Sequence, residues 1–107
     1  MFLKNAIVGC LCLMGLSSAA MSETYVIDVR TPQEYASDHI HQALNIEYQN
    51  ILEGVADAGI LPDDTVMVYC RSGKRAGVAK KTLEDNGFKH VINLGGLEDA
   101  RAQLGEN

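Results

Sequence analysis

Cys70 closes the apolar run Val66-Met67-Val68-Tyr69 and opens the stretch Cys70-Arg71-Ser72-Gly73-Lys74-Arg75. A thiol is thereby set at the carboxyl end of a predicted strand, ahead of a cationic, glycine-containing turn and then a helical pattern. A thiol acts as a nucleophile in its thiolate form. The amides of a helix N-terminus, with neighbouring Arg or Lys, draw a cysteine pKa from about 8.5 towards 3.5–7.5. A cysteine at a strand end is often only a small buried hydrophobe, but the turn after Cys70 predicts a catalytic nucleophile. Positions 71 to 81 also hold Arg71, Lys74, Arg75, Lys80 and Lys81. Lys80 and Lys81 read as helix-surface charges. Arg71, Lys74 and Arg75 lie in the turn itself, where cations both favour a thiolate and attract small anions. The expected substrate is an anion.

Few other residues compete for a chemical role. Asp28 ends an apolar run and, taken alone, reads as a strand-end cap. Arg30, two residues on, reads as half of a structural ion pair. His39, His41 and His90 have no metal-site spacing, so neither a bound metal nor a cofactor is expected. Tyr35 and Tyr48 read as packing residues.

The elements that must position these groups follow from pattern. Tyr25 to Val29 predicts a strand buried on both faces. Thr31-Pro32-Gln33-Glu34 is a capping box with Pro at the first helical position, predicting a helix over Pro32 to Ser37. Ala43 to Ile46 reads as a second short strand, and Ile51, Leu52 and Val55 as one face of a helix closed by Gly59 and Pro62. Thr65 to Tyr69 is the strand that carries Cys70. Ala76, Ala79 and Leu83 form the buried stripe of the next helix, capped by Asn86-Gly87. His90 to Leu94 is a further strand, Gly95-Gly96 a sharp turn, and Leu97 to Leu104 a weaker last helix. Alternating strands and helices with short connections predict a parallel sheet covered on both faces. Sites in such sheets form at strand carboxyl ends, where Asp28 and Cys70 both fall.

The 107 residues divide into a leader and one domain. Residues 1–20 read as a signal peptide: Lys4, then the uncharged apolar stretch Ala6 to Leu16, then Ser17-Ser18-Ala19-Ala20 for cleavage after Ala20. Ile7-Val8-Gly9-Cys10 has the form of a lipobox, which offers lipidation at Cys10 as the lesser alternative. Residues 21–107 then form the folded domain. Fourteen acidic against eight basic residues give this domain a formal net charge of −6, which disfavours nucleic acid and anionic membrane as partners. Cys10 and Cys12 leave with the leader, so Cys70 is the one thiol of the exported form and has no internal disulfide partner.

Taken together, Cys70-Arg71-Ser72-Gly73-Lys74-Arg75-Ala76 resembles the active-site loop of the rhodanese family of sulfurtransferases. Val26-Ile27-Asp28-Val29-Arg30 with Pro32, Glu34 and Tyr35 resembles that family's N-terminal motif, as do Asp38-His39-Ile40 and Ala43 to Ile46. Gly95-Gly96-Leu97 resembles its C-terminal one. The resemblance implies a three-layer α/β/α domain with a small parallel sheet of four or five strands. It implies thiosulfate sulfurtransferase activity: Cys70 takes the outer sulfur of a small anionic donor such as thiosulfate and passes it to a thiophilic acceptor, cyanide or a thiol. On this basis the amides of residues 71 to 75, hence Arg71, Ser72, Gly73, Lys74 and Arg75, bind substrate. Arg71 and Asp28 would pair to brace the loop, while Lys74 and Arg75 face the donor. The four residues between Cys70 and Arg75 form a tighter loop than the five of the superfamily's phosphatases, which favours sulfur over phosphate or arsenate. The alternative is a carrier or protein-binding module that does not turn over free thiosulfate. A periplasmic location follows from the leader. His41-Gln42 stands where the family has Pro-Gly, and the aromatic after Gly-Gly is missing.

Overall fold

A computed structural model describes residues 22–106. The leader and the Cys10 alternative lie outside the described residues. Four strands, β1 (Thr24–Asp28), β2 (Leu44–Asn45), β3 (Thr65–Cys70) and β4 (His90–Gly96), form one sheet. Its order is β2-β1-β3-β4 and every neighbouring pair is parallel. The helices are α1 (Pro32–Ser37), α2 (Ile51–Asp57), α3 (Lys74–Asp85) and α4 (Leu97–Leu104), with a 3-10 turn over Tyr48–Asn50 leading into α2. Each parallel crossover carries a helix or an extended connection over the sheet, so both faces are covered.

The alternation of strand side chains assigns the two cores. Val66, Val68 and Cys70 of β3 pack with Ile27, with Ile51 and Val55 of α2, and with Ala76, Ala79 and Leu83 of α3. Tyr69 points the other way, into a second core with Val26, Ile40, Leu94 and Ala100, joined by the partly buried Tyr35, Met67 and Leu97. Burying a side chain such as Leu83 contributes about 1.5–3 kcal/mol. The second face is fastened by polar bonds as well. The Ile40 N–H donates to the Tyr69 hydroxyl at 3.0 Å, and the Tyr35 hydroxyl donates to the Ala43 carbonyl at 2.6 Å.

The capping box forms as expected. The Thr31 hydroxyl accepts from the Glu34 N–H at 3.2 Å, and the Glu34 carboxylate accepts from the Thr31 N–H at 3.0 Å. Gly59, at φ +76°, closes the chain after α2. Two expectations need correction. The second strand shrinks from Ala43–Ile46 to Leu44–Asn45, because only Ile27 and Asp28 of β1 are in register to pair with it. Gly95-Gly96 is not a chain-reversing turn but the end of β4. Val68 lies opposite Asn93 and Cys70 opposite Gly96, so β4 carries one surplus residue, a bulge that Gly95 accommodates at φ +92°.

Candidate active site

The buried strand β3 delivers Cys70 to the carboxyl edge of the sheet, and three residues, Arg71 to Gly73, connect it to α3. Gly73 sits in the left-handed region at φ +99° and caps α3. That conformation turns its N–H back towards the thiol: it donates to Cys70 Sγ at 2.9 Å, and the Ala76 N–H approaches Sγ at 3.4 Å. Two backbone donors at a helix N-terminus thus converge on one sulfur, a cradle suited to negative charge on it. A Cβ at Gly73 would sit 3.3 Å from Gly95 Cα, and one at Gly96 would run into the Arg71 carbonyl. The loop and the end of β4 meet backbone to backbone, which only glycine permits.

The residue that fixes this contact went unnoticed in the sequence. Asn93 donates from Nδ2 to the Gly73 carbonyl at 3.0 Å and accepts at Oδ1 from the Gly95 N–H at 2.8 Å. One side chain therefore ties the cradle glycine to the bulge of β4. An Asn two residues before a Gly-Gly pair was the available signal, but its partner lies 20 residues away and depends on register.

The predicted cations separate into two groups. Lys80 and Lys81 pair with Glu84 and Asp85 along α3, as helix-surface charges do. Arg75, expected to face the donor, is engaged instead by Glu34 of α1 through two bonds of 2.9 and 3.1 Å. This pair holds the Glu34 carboxyl down at about 2, with the Thr31 N–H contributing, and raises the Arg75 guanidinium. Arg71 and Lys74 are both exposed, and among the described residues neither has an ion-pair partner. Ser72 is exposed beside them, and Gly73 is half-buried.

Asp28 does not pair with Arg71. Its fully buried carboxylate is held by Arg30, with Nε at 2.9 Å and Nη2 at 2.7 Å, and by the Arg30 N–H at 2.9 Å. Strand alternation explains the correction. Asp28 lies in register with Tyr69, whose side chain points away from the Cys70 face, and the Arg30 guanidinium lies 5.8 Å from the Tyr69 ring. Burial among these groups pushes the Tyr69 hydroxyl up, and the Asp28 carboxylate raises Arg30. Asp28 thus supports the sheet beneath the site rather than the loop, and Arg30 is the structural ion pair expected of it. His39 stacks on Tyr35 with ring centroids 3.7 Å apart. Among the described residues no cluster of metal-ligating side chains occurs.

The rhodanese-like domain model matches residues 15–103. The chain is 44% identical over 73 residues to the thiosulfate sulfurtransferase PspE of Escherichia coli, covering 68% of this chain and 70% of that protein. It is 33% identical over 77 residues to the thiosulfate:glutathione sulfurtransferase of Saccharomyces cerevisiae, covering 62% of this chain and 55% of the yeast protein. Among solved structures, a rhodanese with anions from E. coli superposes with a TM-score of 0.68 at 42% identity, over 71% of this chain and 89% of that one.

Proposed function

The chain belongs to the rhodanese-like family of sulfurtransferases, and we propose that it moves sulfane sulfur from thiosulfate to a thiophilic acceptor through a persulfide on Cys70. The single observation that carries this reading is the convergence of the Gly73 and Ala76 N–H groups on Sγ at the start of α3. In the first half-reaction the Cys70 thiolate attacks the outer sulfur of thiosulfate. The bond between the two thiosulfur atoms breaks, sulfite leaves with the electron pair, and the outer sulfur stays on Sγ as a persulfide. The loop amides of residues 71 to 75 then cradle that sulfur. Lys74, exposed and unpaired among the described residues, attracts the dianion. Arg75 acts through Glu34, locking the first turn of α3 to α1. In the second half-reaction cyanide or a thiolate attacks the outer sulfur and Cys70 leaves as thiolate.

The chemistry needs no metal or cofactor, since sulfur transfer between thiolates is a two-electron exchange contained in its reactants. Among the described residues no helix is long and apolar enough to cross a membrane. The export pattern of residues 1–20 supports a periplasmic enzyme released by cleavage after Ala20.

Intact mass of the purified protein before and after thiosulfate, with Cys70→Ser alongside, tests the reading. The expected result is a gain of one sulfur atom in the native protein and none in the variant, followed by saturable turnover with cyanide. A native protein that gains no mass refutes thiosulfate as its donor. The same spectrum reads the cleavage site.

A further inference from the structure

The cations of the turn after Cys70 are not equally free. Arg71 and Lys74 are exposed and have no ion-pair partner among the described residues. Arg75 is already occupied: Nη1 donates to Glu34 Oε1 at 2.9 Å and Nη2 to Oε2 at 3.1 Å. That pair is open to solvent, with 28% of the Arg75 side chain and 26% of the Glu34 side chain exposed, so an ion at the mouth of the loop can reach the guanidinium. Besides Glu34, the groups whose charges act on Arg75 are Cys70 and Tyr48, which sets the guanidinium within electrostatic range of the reacting sulfur.

The carboxylate does not depend on Arg75 for its place. Its Oε1 also accepts from the Thr31 N–H at 3.0 Å and from the Thr31 hydroxyl at 3.2 Å, the bonds on which α1 begins. If Arg75 left, Glu34 would stay held and hydrogen-bonded in the capping box, so the guanidinium can change partner without orphaning the acid. A guanidinium grips carboxylates and tetrahedral oxyanions such as phosphate with the same planar fork of donors. The three oxygens of thiosulfate present that second shape.

We propose that Glu34 is a resident competitor for Arg75: its carboxylate holds the guanidinium while the site is empty, and a dianionic donor at the loop displaces it to take the same N–H fork. The lock between α3 and α1 is therefore also a restraint on the donor. Arg71 and Lys74 attract the donor first, since nothing has to leave them, and Glu34 is a positioning residue that acts through Arg75. The proposal rests on Cys70 taking sulfur from an anionic donor, and its test reads the two separately.

Single-turnover persulfide formation is followed by mass over a range of thiosulfate concentrations at fixed pH and ionic strength. Glu34→Gln keeps an oxygen for the Thr31 N–H and removes the charge. Its half-saturating thiosulfate concentration is expected to fall about fivefold, the ratio carried by a partly exposed bidentate pair, while its urea midpoint drops. A residue with a structural role alone would lose stability and gain no affinity. In an Arg75→Gln background, adding Glu34→Gln should leave the half-saturating concentration where Arg75→Gln alone puts it. A concentration that stays put or rises in Glu34→Gln overturns the proposal. So does a gain of the same size without Arg75, which would be repulsion across the site and no exchange of partners. If thiosulfate fails to load the native protein, the proposed donor is wrong, and the exchange is read instead from sulfate binding to Cys70→Ser and to Cys70→Ser/Glu34→Gln by chemical-shift titration. Tighter sulfate binding in the second protein supports the competitor, and equal binding overturns it.

Discussion

Replacing Asn93 should slow sulfur loading far more than its exposed position implies. Its two hydrogen bonds, 3.0 Å to the Gly73 carbonyl and 2.8 Å from the Gly95 N–H, lie at an accessible surface. Each is therefore worth the lower part of the usual range, and Asn93→Ala should cost about 1–2 kcal/mol of stability. The effect on chemistry comes from the Gly73 N–H, which points at Sγ. Deleting a preorganised donor of this kind outright costs about 2.7–4 kcal/mol. Asn93→Ala leaves the donor present and loosens not its own peptide but the next one, Gly73–Lys74, whose carbonyl still accepts from the Gly77 N–H at 2.9 Å, so at most about half of the lower figure applies, roughly tenfold in rate. The assay is single-turnover persulfide formation at saturating thiosulfate, read by mass against time, with a urea midpoint on the same sample. Asn93→Asp sharpens the comparison. It keeps the acceptor for the Gly95 N–H but sets an oxygen against the Gly73 carbonyl, so loading should slow at least as much although the bulge bond survives. An aspartate variant that loads at the native rate would refute the reasoning. So would an alanine variant that loses stability alone.

Three other perturbations have defined outcomes. Gly96→Ala drives a Cβ into the Arg71 carbonyl and should abolish loading while the sheet persists by circular dichroism; a variant that loads normally removes the close approach from the mechanism. Asp28→Asn leaves the buried Arg30 charge uncompensated and should cost about 3–5 kcal/mol by urea unfolding. The fraction that remains folded should still load, because Asp28 faces away from Cys70. A stable but inactive Asp28→Asn protein would restore Asp28 to the loop. Glu34→Gln should cost about 1 kcal/mol at neutral pH, discounted for side chains about a quarter exposed. The Glu34 carboxyl falls from 4.5 unfolded to about 2 folded, so its contribution is whole above about pH 4.5 and fades as pH drops through 2. The gap between native and variant urea midpoints should close over that window, and a gap constant with pH would sink the ion pair.

Local signals were read well and register was not. The Thr31–Glu34 capping box, the last helix at Leu97–Leu104 and the Ala76, Ala79, Leu83 stripe depend on residues within a few positions of one another, and all appear as expected. Asp28 was matched with Arg71 because the family resemblance places both positions near the cysteine. Which face each side chain occupies depends on pairing between β1 and β3, and that alignment is not written in either segment alone. The Asp28–Arg30 spacing of two residues, which returns a side chain to the same face, was the local clue to the true pair. The strand, turn and helix around Cys70 were legible because their pattern is contiguous, and the Gly73 and Ala76 N–H groups meet Sγ within it. Asn93 was missed because its work is done across the sheet. Arg75 kept its place at the site but not its assigned partner, since Glu34 reaches it from an element 41 residues earlier.

The surplus residue in β4 is a spacer, and its value lies in its count. From Val68 to Cys70 strand β3 advances two positions, while β4 advances three, from Asn93 to Gly96. Removing one residue between Asn93 and Gly96 would even the ladder and leave Gly96 opposite Cys70, but it would abolish the bulge in which the Gly95 N–H turns back to Asn93 Oδ1 at 2.8 Å. Adding one would push Asn93 and Gly96 out of step, so that no single register serves both the clamp and the close contact. Along this stretch the number of residues is more tightly constrained than their identity outside the glycines.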